Sequence, residues 1–280
     1  MKIMVIGSGT MGNGIAEVLI SNNHDVVIRV RDEINLQKNV KLITKSLDKK
    51  VAKGKIEENT KEKILSRLSS TTKLEDAKDC DLVIEAIVEN MEIKKDLFKQ
   101  LDNICKEDTI LATNTSSLSI TELAVSTNRP QKVIGMHFFN PAQVMKLVEV
   151  IDGYTTSKET HDTIYNLCKE INKTPVTVNE APGFVVNRIL IPMINEAVCI
   201  VCEGVANVED VDNAMKLGAN HPIGPLALGD LIGLDVCLKI MDVLYEEFKD
   251  TKYRPHPYLR KMVRAGMLGR KTKKGFYDYN

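Results

Sequence analysis

The sequence predicts an α/β fold: a doubly wound sheet with a helical pair inserted after its second strand, followed by an all-α C-terminal domain. Three observations carry this reading. Short apolar strands alternate with helical stretches from Lys2 to Val178, the pattern of a sheet covered by helices on both faces. A glycine-rich turn joins the first strand to the first helix. From Phe184 onward only helical character remains.

Bulk composition narrows the function classes. The chain has 280 residues, enough to bury a real core in one large or two modest domains. Lys+Arg and Asp+Glu both number 38, so no net field draws in nucleic acid or an anionic membrane. Trp is absent and aromatics are few, which argues against a base-stacking surface. No apolar run reaches the ~20 residues that a membrane span needs. Met1 runs straight into a strand with no signal segment, so the expected location is cytoplasmic. The six cysteines (Cys80, Cys105, Cys168, Cys199, Cys202 and Cys237) are scattered, as suits reduced thiols. Cys199-Ile200-Val201-Cys202 has C-x-x-C spacing, but it lies in an apolar helical run without a second ligand pair. It reads as helix packing, and no metal is expected.

Lys2–Ile6 is the first strand, and Gly7-Ser8-Gly9-Thr10-Met11-Gly12 is a complete G-x-G-x-x-G. Ile15–Ile20 follows with helical character, then Asp25–Ile28 as a second strand. That order is the context a Rossmann-type dinucleotide site requires. The glycines serve a tight turn, close approach of backbone to the pyrophosphate, and close helix–strand packing. The helix N-terminus offers N–H groups to the phosphates. The end of the second strand then selects the cofactor. An acid there binds the 2′-OH of NAD, and an arginine accommodates the 2′-phosphate of NADP. Ile28-Arg29-Val30-Arg31-Asp32-Glu33 places Arg29 and Arg31 at that point if the strand ends near Val30; a strand running to Asp32 would suit NAD. NADP(H) is favoured, with NAD(H) the alternative.

Residues 34 to 68 form a charged excursion longer than a plain connector. Asn35–Lys53 and Glu57–Leu68 read as two helices broken at Gly54. Their lysines read mostly as a solvated face, with a few available to an anionic ligand tail. Asp81–Ala86 is the next buried strand, followed by Val88-Glu89-Asn90 and a helix from Met91 to Cys105. The strand Thr109–Thr113 ends in Asn114-Thr115-Ser116-Ser117. Ser119-Ile120-Thr121-Glu122 fits a capping box, which leaves Ser116 or Ser117 for other work.

Val133–Met136 is a further strand, so His137 sits at or just past a strand end, on the edge where open α/β sheets bind ligands. Leu147–Ile151 carries Glu149 within an apolar run. A carboxylate so placed needs a partner, because an unpaired buried charge is costly, and His137 is the nearest candidate. On these residues alone, a structural histidine and a catalytic one stand level. Helix Lys158–Ile171 and strand Pro175–Val178 complete a domain expected at residues 1–181. A second, at 182–280, begins at the Ala181-Pro182-Gly183 junction. Its expected helices are Phe184–Glu203, Asn207–Leu217, Ala227–Phe248 and Pro257–Ala265. Asn187 lies in an apolar helix start, where its amide is either a cap or faces a cleft.

The ordered motifs are specific. Gly7–Gly12, Asn114-Thr115-Ser116-Ser117-Leu118, His137-Phe138-Phe139-Asn140-Pro141, Met145–Val150, Pro182–Arg188 and Gly275-Phe276-Tyr277 resemble those of the 3-hydroxyacyl-CoA dehydrogenase family, in particular its short-chain bacterial members. The resemblance covers essentially the whole chain. It implies reversible hydride transfer between NAD(P)H and the C3 carbonyl of a short-chain acyl-CoA, the acetoacetyl-CoA/3-hydroxybutyryl-CoA pair, in butyrate-type fermentation or fatty acid metabolism. It implies His137 as acid/base, Glu149 orienting it, and Ser116 and Asn187 holding the 3-oxygen. It puts Gly7, Gly9, Thr10, Met11, Gly12, Glu89, Lys94, Asn114, Asn140 and Lys271 at the cofactor. Ser46 and, in looser register, Lys53 fall at coenzyme A, which the helical pair would cover. Val30 stands where the family has its acid, which strengthens the NADP reading. A homodimer or higher homo-oligomer through the C-terminal domain is also implied.

The chemistry agrees. Imidazolium is a suitable proton donor near neutral pH, a buried carboxylate fixes its orientation, and donors at the growing oxyanion stabilise it. A related β-hydroxyacid dehydrogenase would place a lysine where this chain has its His–Glu pair. A non-catalytic dinucleotide-binding protein would be favoured by loss of His137, Glu149 or Asn187, and all three are present.

Overall fold

The computed structural model describes residues 1–279, which fall into two units, Met1–Glu180 and one beginning at Ala181. The first unit is built on eight strands: β1 (Lys2–Ile6), β2 (Asp25–Arg29), β3 (Leu68–Thr71), β4 (Leu82–Glu85), β5 (Ile110–Thr113), β6 (Val133–Phe138), β7 (Leu147–Asp152) and β8 (Thr174–Asn179). They form one sheet in the order β3-β2-β1-β4-β5-β6-β7-β8. The first six are parallel, β7 is antiparallel to β6, and β8 is parallel to β7. Strands β4 and β5 are buried at every residue, which explains their unbroken apolar reading: helices cover both faces.

The helices of this unit are α1 (Thr10–Ser21), α2 (Glu33–Ala52), α3 (Glu58–Leu65), α4 (Met91–Ile104), α5 (Ile120–Ala124) and α6 (Lys158–Glu170). The chain runs outward from β1 to β3, then returns to β4 on the other side of β1. Ligands bind at such a switch point, beyond the carboxyl ends of the strands. Register makes this edge sharp. Thr71, Arg29, Ile6, Glu85, Thr113 and Gly135 are successive partners across six strands. Every loop that follows this row emerges on the same edge.

Strand β3 corrects the expected helix Glu57–Leu68. Helix α3 stops at Leu65, and Leu68–Thr71 pairs with β2 instead. Leu-Ser-Ser-Thr has no apolar alternation because an edge strand buries little, so tertiary pairing decides its conformation. Helix α2 docks through Asn39, Ile43 and Leu47, spaced four apart on one face. Asn13 donates to Asn39 at 3.3 Å, and Lys50 pairs with buried Glu17 at 2.8 Å. Ser119 caps α5 by accepting from Glu122 N at 3.0 Å, while the Glu122 carboxylate pairs with Lys95.

The second unit holds α7 (Val186–Cys202), α8 (Val208–Gly218), α9 (Pro225–Ile232), α10 (Leu234–Phe248) and α11 (Pro257–Arg264). Ile191, Ile194, Met241 and Leu244 form part of its core. The expected single helix Ala227–Phe248 is two helices. They separate at Gly233, whose φ of 105° lies in a region that L side chains rarely adopt. Asp230, almost fully buried, accepts from Phe276 N and Tyr277 N at 3.0 Å and from Tyr279 OH at 3.1 Å. This clamps the C-terminal segment. A side chain at Gly275 would overlap the Asp230 carboxylate. The Gly275-Phe276-Tyr277 motif is therefore a fastening. Among the described residues, no helix is long and apolar enough to cross a membrane.

Candidate active site

The turn from β1 into α1 has the form a dinucleotide diphosphate requires. Gly7 has a φ of 124°, and a Cβ on it would overlap Ala86 O. A Cβ on Gly12 would overlap Gly7 O, so this glycine lets the helix pack against the turn. At Gly9, the N-cap of α1, a Cβ would meet nothing within 4 Å, and no side chain caps the helix. The first N–H groups of α1, at Thr10, Met11 and Gly12, thus face an approachable turn, as anion binding at a helix N-terminus needs. The residues present fit the diphosphate.

The neighbouring exit from β2 is tied to this loop, because Gly7 N donates to Arg29 O at 3.2 Å. The strand ends at Arg29. Val30, 1% exposed, turns its side chain into the core. Asp32 has become the N-cap of α2, accepting from Asn35 N at 3.0 Å and Asn35 Nδ2 at 2.9 Å. Val30 therefore brings no carboxylate to the ribose position, and Asp32 is already engaged. Arg31 is exposed. Arg29 is half-buried, and its Nε has no hydrogen-bond partner.

The exits from β4 and β5 are joined by carboxylates. Lys94, 1% exposed in the first turn of α4, holds Glu85 at 2.6 and 2.7 Å and Glu89 at 3.4 Å. Glu85 also accepts from Thr113 Oγ1 at 2.7 Å and Ile87 N at 2.6 Å. Glu89 accepts from Thr115 Oγ1 at 2.6 Å, Ser116 N at 2.9 Å and Ser116 Oγ at 3.2 Å. Burial pushes the Glu89 carboxyl up, but Lys94 and these donors outweigh it and hold the group below its ordinary value. Asn114 Oδ1 accepts from Phe138 N at 2.8 Å, locking the β5 exit against the end of β6.

At that end stands His137. The antiparallel pairing of β6 with β7 sets Glu149 directly opposite it, and His137 Nδ1 lies 2.8 Å from Glu149 Oε2. Both side chains are buried, at 7% and 1% exposure, and the Phe139 ring lies 4.5 Å from the imidazole. An ionised carboxylate only accepts, so opposite one Nδ1 is the donor of this contact. The sequence expectation that Glu149 finds its partner in His137 holds.

The remaining expected site residues have varied local settings. Asn140 is exposed, just before Pro141. Ser46 is half-buried on α2, and Lys53 is exposed at its C-cap. In the second unit, Asn187 is buried in the first turn of α7, and Lys271 pairs with Asp235. Sequence reading missed the Glu85–Lys94 pair, although the signal was present. Glu85 sits in an apolar strand as Glu149 does, and the same physics demands a cation for it. Among the described residues, no group of three or more His, Cys, Asp or Glu side chains is arranged to hold a metal ion.

A glycine turn at a topological switch point, with a buried histidine–carboxylate pair on the same sheet edge, defines a dinucleotide-dependent dehydrogenase. Residues 2–181 match the model of the 3-hydroxyacyl-CoA dehydrogenase NAD binding domain, and residues 183–279 match the C-terminal domain of the same family. The chain belongs to the 3-hydroxyacyl-CoA dehydrogenase family. It is 67% identical over 280 residues to the 3-hydroxybutyryl-CoA dehydrogenase of Clostridioides difficile, covering 100% of both chains. With the mitochondrial hydroxyacyl-coenzyme A dehydrogenase of Homo sapiens it shares 45% identity over 285 residues, covering 99% of this chain and 90% of the human one. The crystal structure of (S)-3-hydroxybutyryl-CoA dehydrogenase from Ralstonia eutropha superposes with a TM-score of 0.97 at 50% identity, covering 100% of this chain and 99% of that one.

Proposed function

We propose that the chain interconverts acetoacetyl-CoA and (S)-3-hydroxybutyryl-CoA, with NADP(H) as its preferred hydride carrier. The observation that carries the activity is the His137–Glu149 pair, held at 2.8 Å on the same sheet edge as the glycine turn. Family membership and the names of the similar proteins support the substrate.

When bound, the reduced nicotinamide supplies hydride to C3. Protonated His137 donates from Nε2 to the C3 oxygen as negative charge grows there, so carbon gains a hydride and oxygen a proton. Glu149 accepts from Nδ1 throughout and keeps the ring in one tautomer and orientation. In the oxidising direction Nε2 takes the hydroxyl proton back. Ser116, with its hydroxyl turned to Glu89 at 3.2 Å, presents lone pairs suited to the 3-hydroxyl; rotated, the same hydroxyl donates to the ketone. Asn187 joins it as an oxygen ligand on the strength of its motif. Glu89, Lys94, Asn114, Asn140 and Lys271 are assigned to the cofactor. Ser46 and Lys53 are assigned to coenzyme A.

The NADP(H) preference is supported by the buried Val30, the engaged Asp32, and the guanidinium groups of Arg29 and Arg31. Charge-assisted hydrogen bonds to a phosphate sustain a discrimination of about tenfold or more. Initial rates of acetoacetyl-CoA reduction test this. The kcat/KM with NADPH should exceed that with NADH by about that factor, and Arg31→Gln should collapse the difference. Preference for NADH would overturn the cofactor reading. No turnover with either would overturn the activity.

A further inference from the structure

The strand missed by sequence reading puts a third cation beside the two arginines. Thr71, at the end of β3, is the register partner of Arg29, and bonding continues one step further, with Val30 N donating to Thr71 O at 2.9 Å. The two chains therefore leave the sheet side by side. Two residues beyond the Arg29–Thr71 pair stand Arg31 on one chain and Lys73 on the other. Lys73 is extended, with φ −87° and ψ 128°, and its N donates to Thr71 Oγ1 at 3.0 Å, which fixes where its side chain starts.

Three cations at adjoining exits, Arg29 half-buried and Arg31 and Lys73 exposed, favour an anion bound among them. The fold does not supply one. Among the described residues, no ion pair joins Arg29, Arg31 or Lys73 to a carboxylate, whereas Lys61, Lys95 and Lys106 each have at least one. Asp32 is turned to Asn35, and Glu75 and Asp76, which start the next turn, form no ion pair with Lys73. The Gly7 N to Arg29 O bond sets this group beside the diphosphate turn, where the adenosine ribose of a dinucleotide falls. A phosphate monoester on that ribose supplies the missing dianion.

We propose that Lys73 is a third ligand of the adenosine 2′-phosphate and, with Arg29 and Arg31, determines cofactor specificity. This rests on the NADP(H) reading above. The test is calorimetric titration of the full chain with adenosine 2′,5′-bisphosphate and with 5′-AMP, for the native protein, Arg31→Gln, Lys73→Gln and Lys73→Arg. The native chain should bind the bisphosphate about tenfold tighter or more. Lys73→Gln should cut that advantage at least about threefold, Lys73→Arg should largely keep it, and the NADPH:NADH ratio of kcat/KM should fall in step. Equal binding of both nucleotides by the native chain would sink the NADP(H) reading and this assignment with it. Discrimination lost in Arg31→Gln but intact in Lys73→Gln would overturn Lys73 alone.

Discussion

Glu85, Glu89 and Glu149 all stand at the carboxyl edge of the sheet, and each is held by a cation, an imidazole or a set of donors. Glu149 faces an imidazole, Glu85 a buried ammonium, and Glu89 a set of hydroxyl and N–H donors together with Lys94. Glu89 titrates below the ordinary glutamate value of 4.5. A depressed folded-state pKa contributes stability that is complete above the unfolded value and is lost as pH falls through the folded one. Chemical denaturation between about pH 3 and 7 should therefore show the native chain losing stability below about pH 4.5, and Glu89→Gln should lose less over that interval. Equal acid slopes would contradict this assignment of charge. At this scale the sequence was informative wherever a carboxylate broke an apolar run. Glu149 pointed to His137 correctly. The same rule applied to Glu85 leads to Lys94, a buried ammonium paired with two carboxylates.

Elements were legible in proportion to how much they bury. β1, the glycine turn and α1 could be read directly because apolar run, glycine spacing and helical period agree. β3 could not, since Leu68–Thr71 buries no residue fully and borrows its conformation from β2. The expected helix Ala227–Phe248 ran across Gly233, where only a short break with a positive φ divides α9 from α10. The Gly275 motif was visible as a motif, but its cause, buried Asp230, lies 45 residues earlier in the chain. Gly275→Ala must push the backbone off that carboxylate and disturb two N–H bonds, a loss of about 2–4 kcal/mol. A denaturation midpoint within error of the native one would show that Asp230 does not fasten the C-terminal segment.

For the molecule as a whole, 38 cations balance 38 anions, so affinity for an anionic acyl-CoA and a phosphorylated cofactor must come from local groups and not from a general field. The sheet supplies that locality. One row of registered residues brings the cofactor turn, the β2 exit and the His137–Glu149 pair to a single edge from segments more than a hundred residues apart in sequence. The proton transfer proposed for His137 is what would turn this edge from a binding site into a catalytic one. It is tested most directly by measuring acetoacetyl-CoA reduction by His137→Gln alongside a fluorescence titration of NADPH. Turnover should fall by about 10²–10⁴-fold while NADPH binding stays close to native. A variant that binds NADPH and still reduces the substrate within about threefold of the native rate would place the proton donor elsewhere.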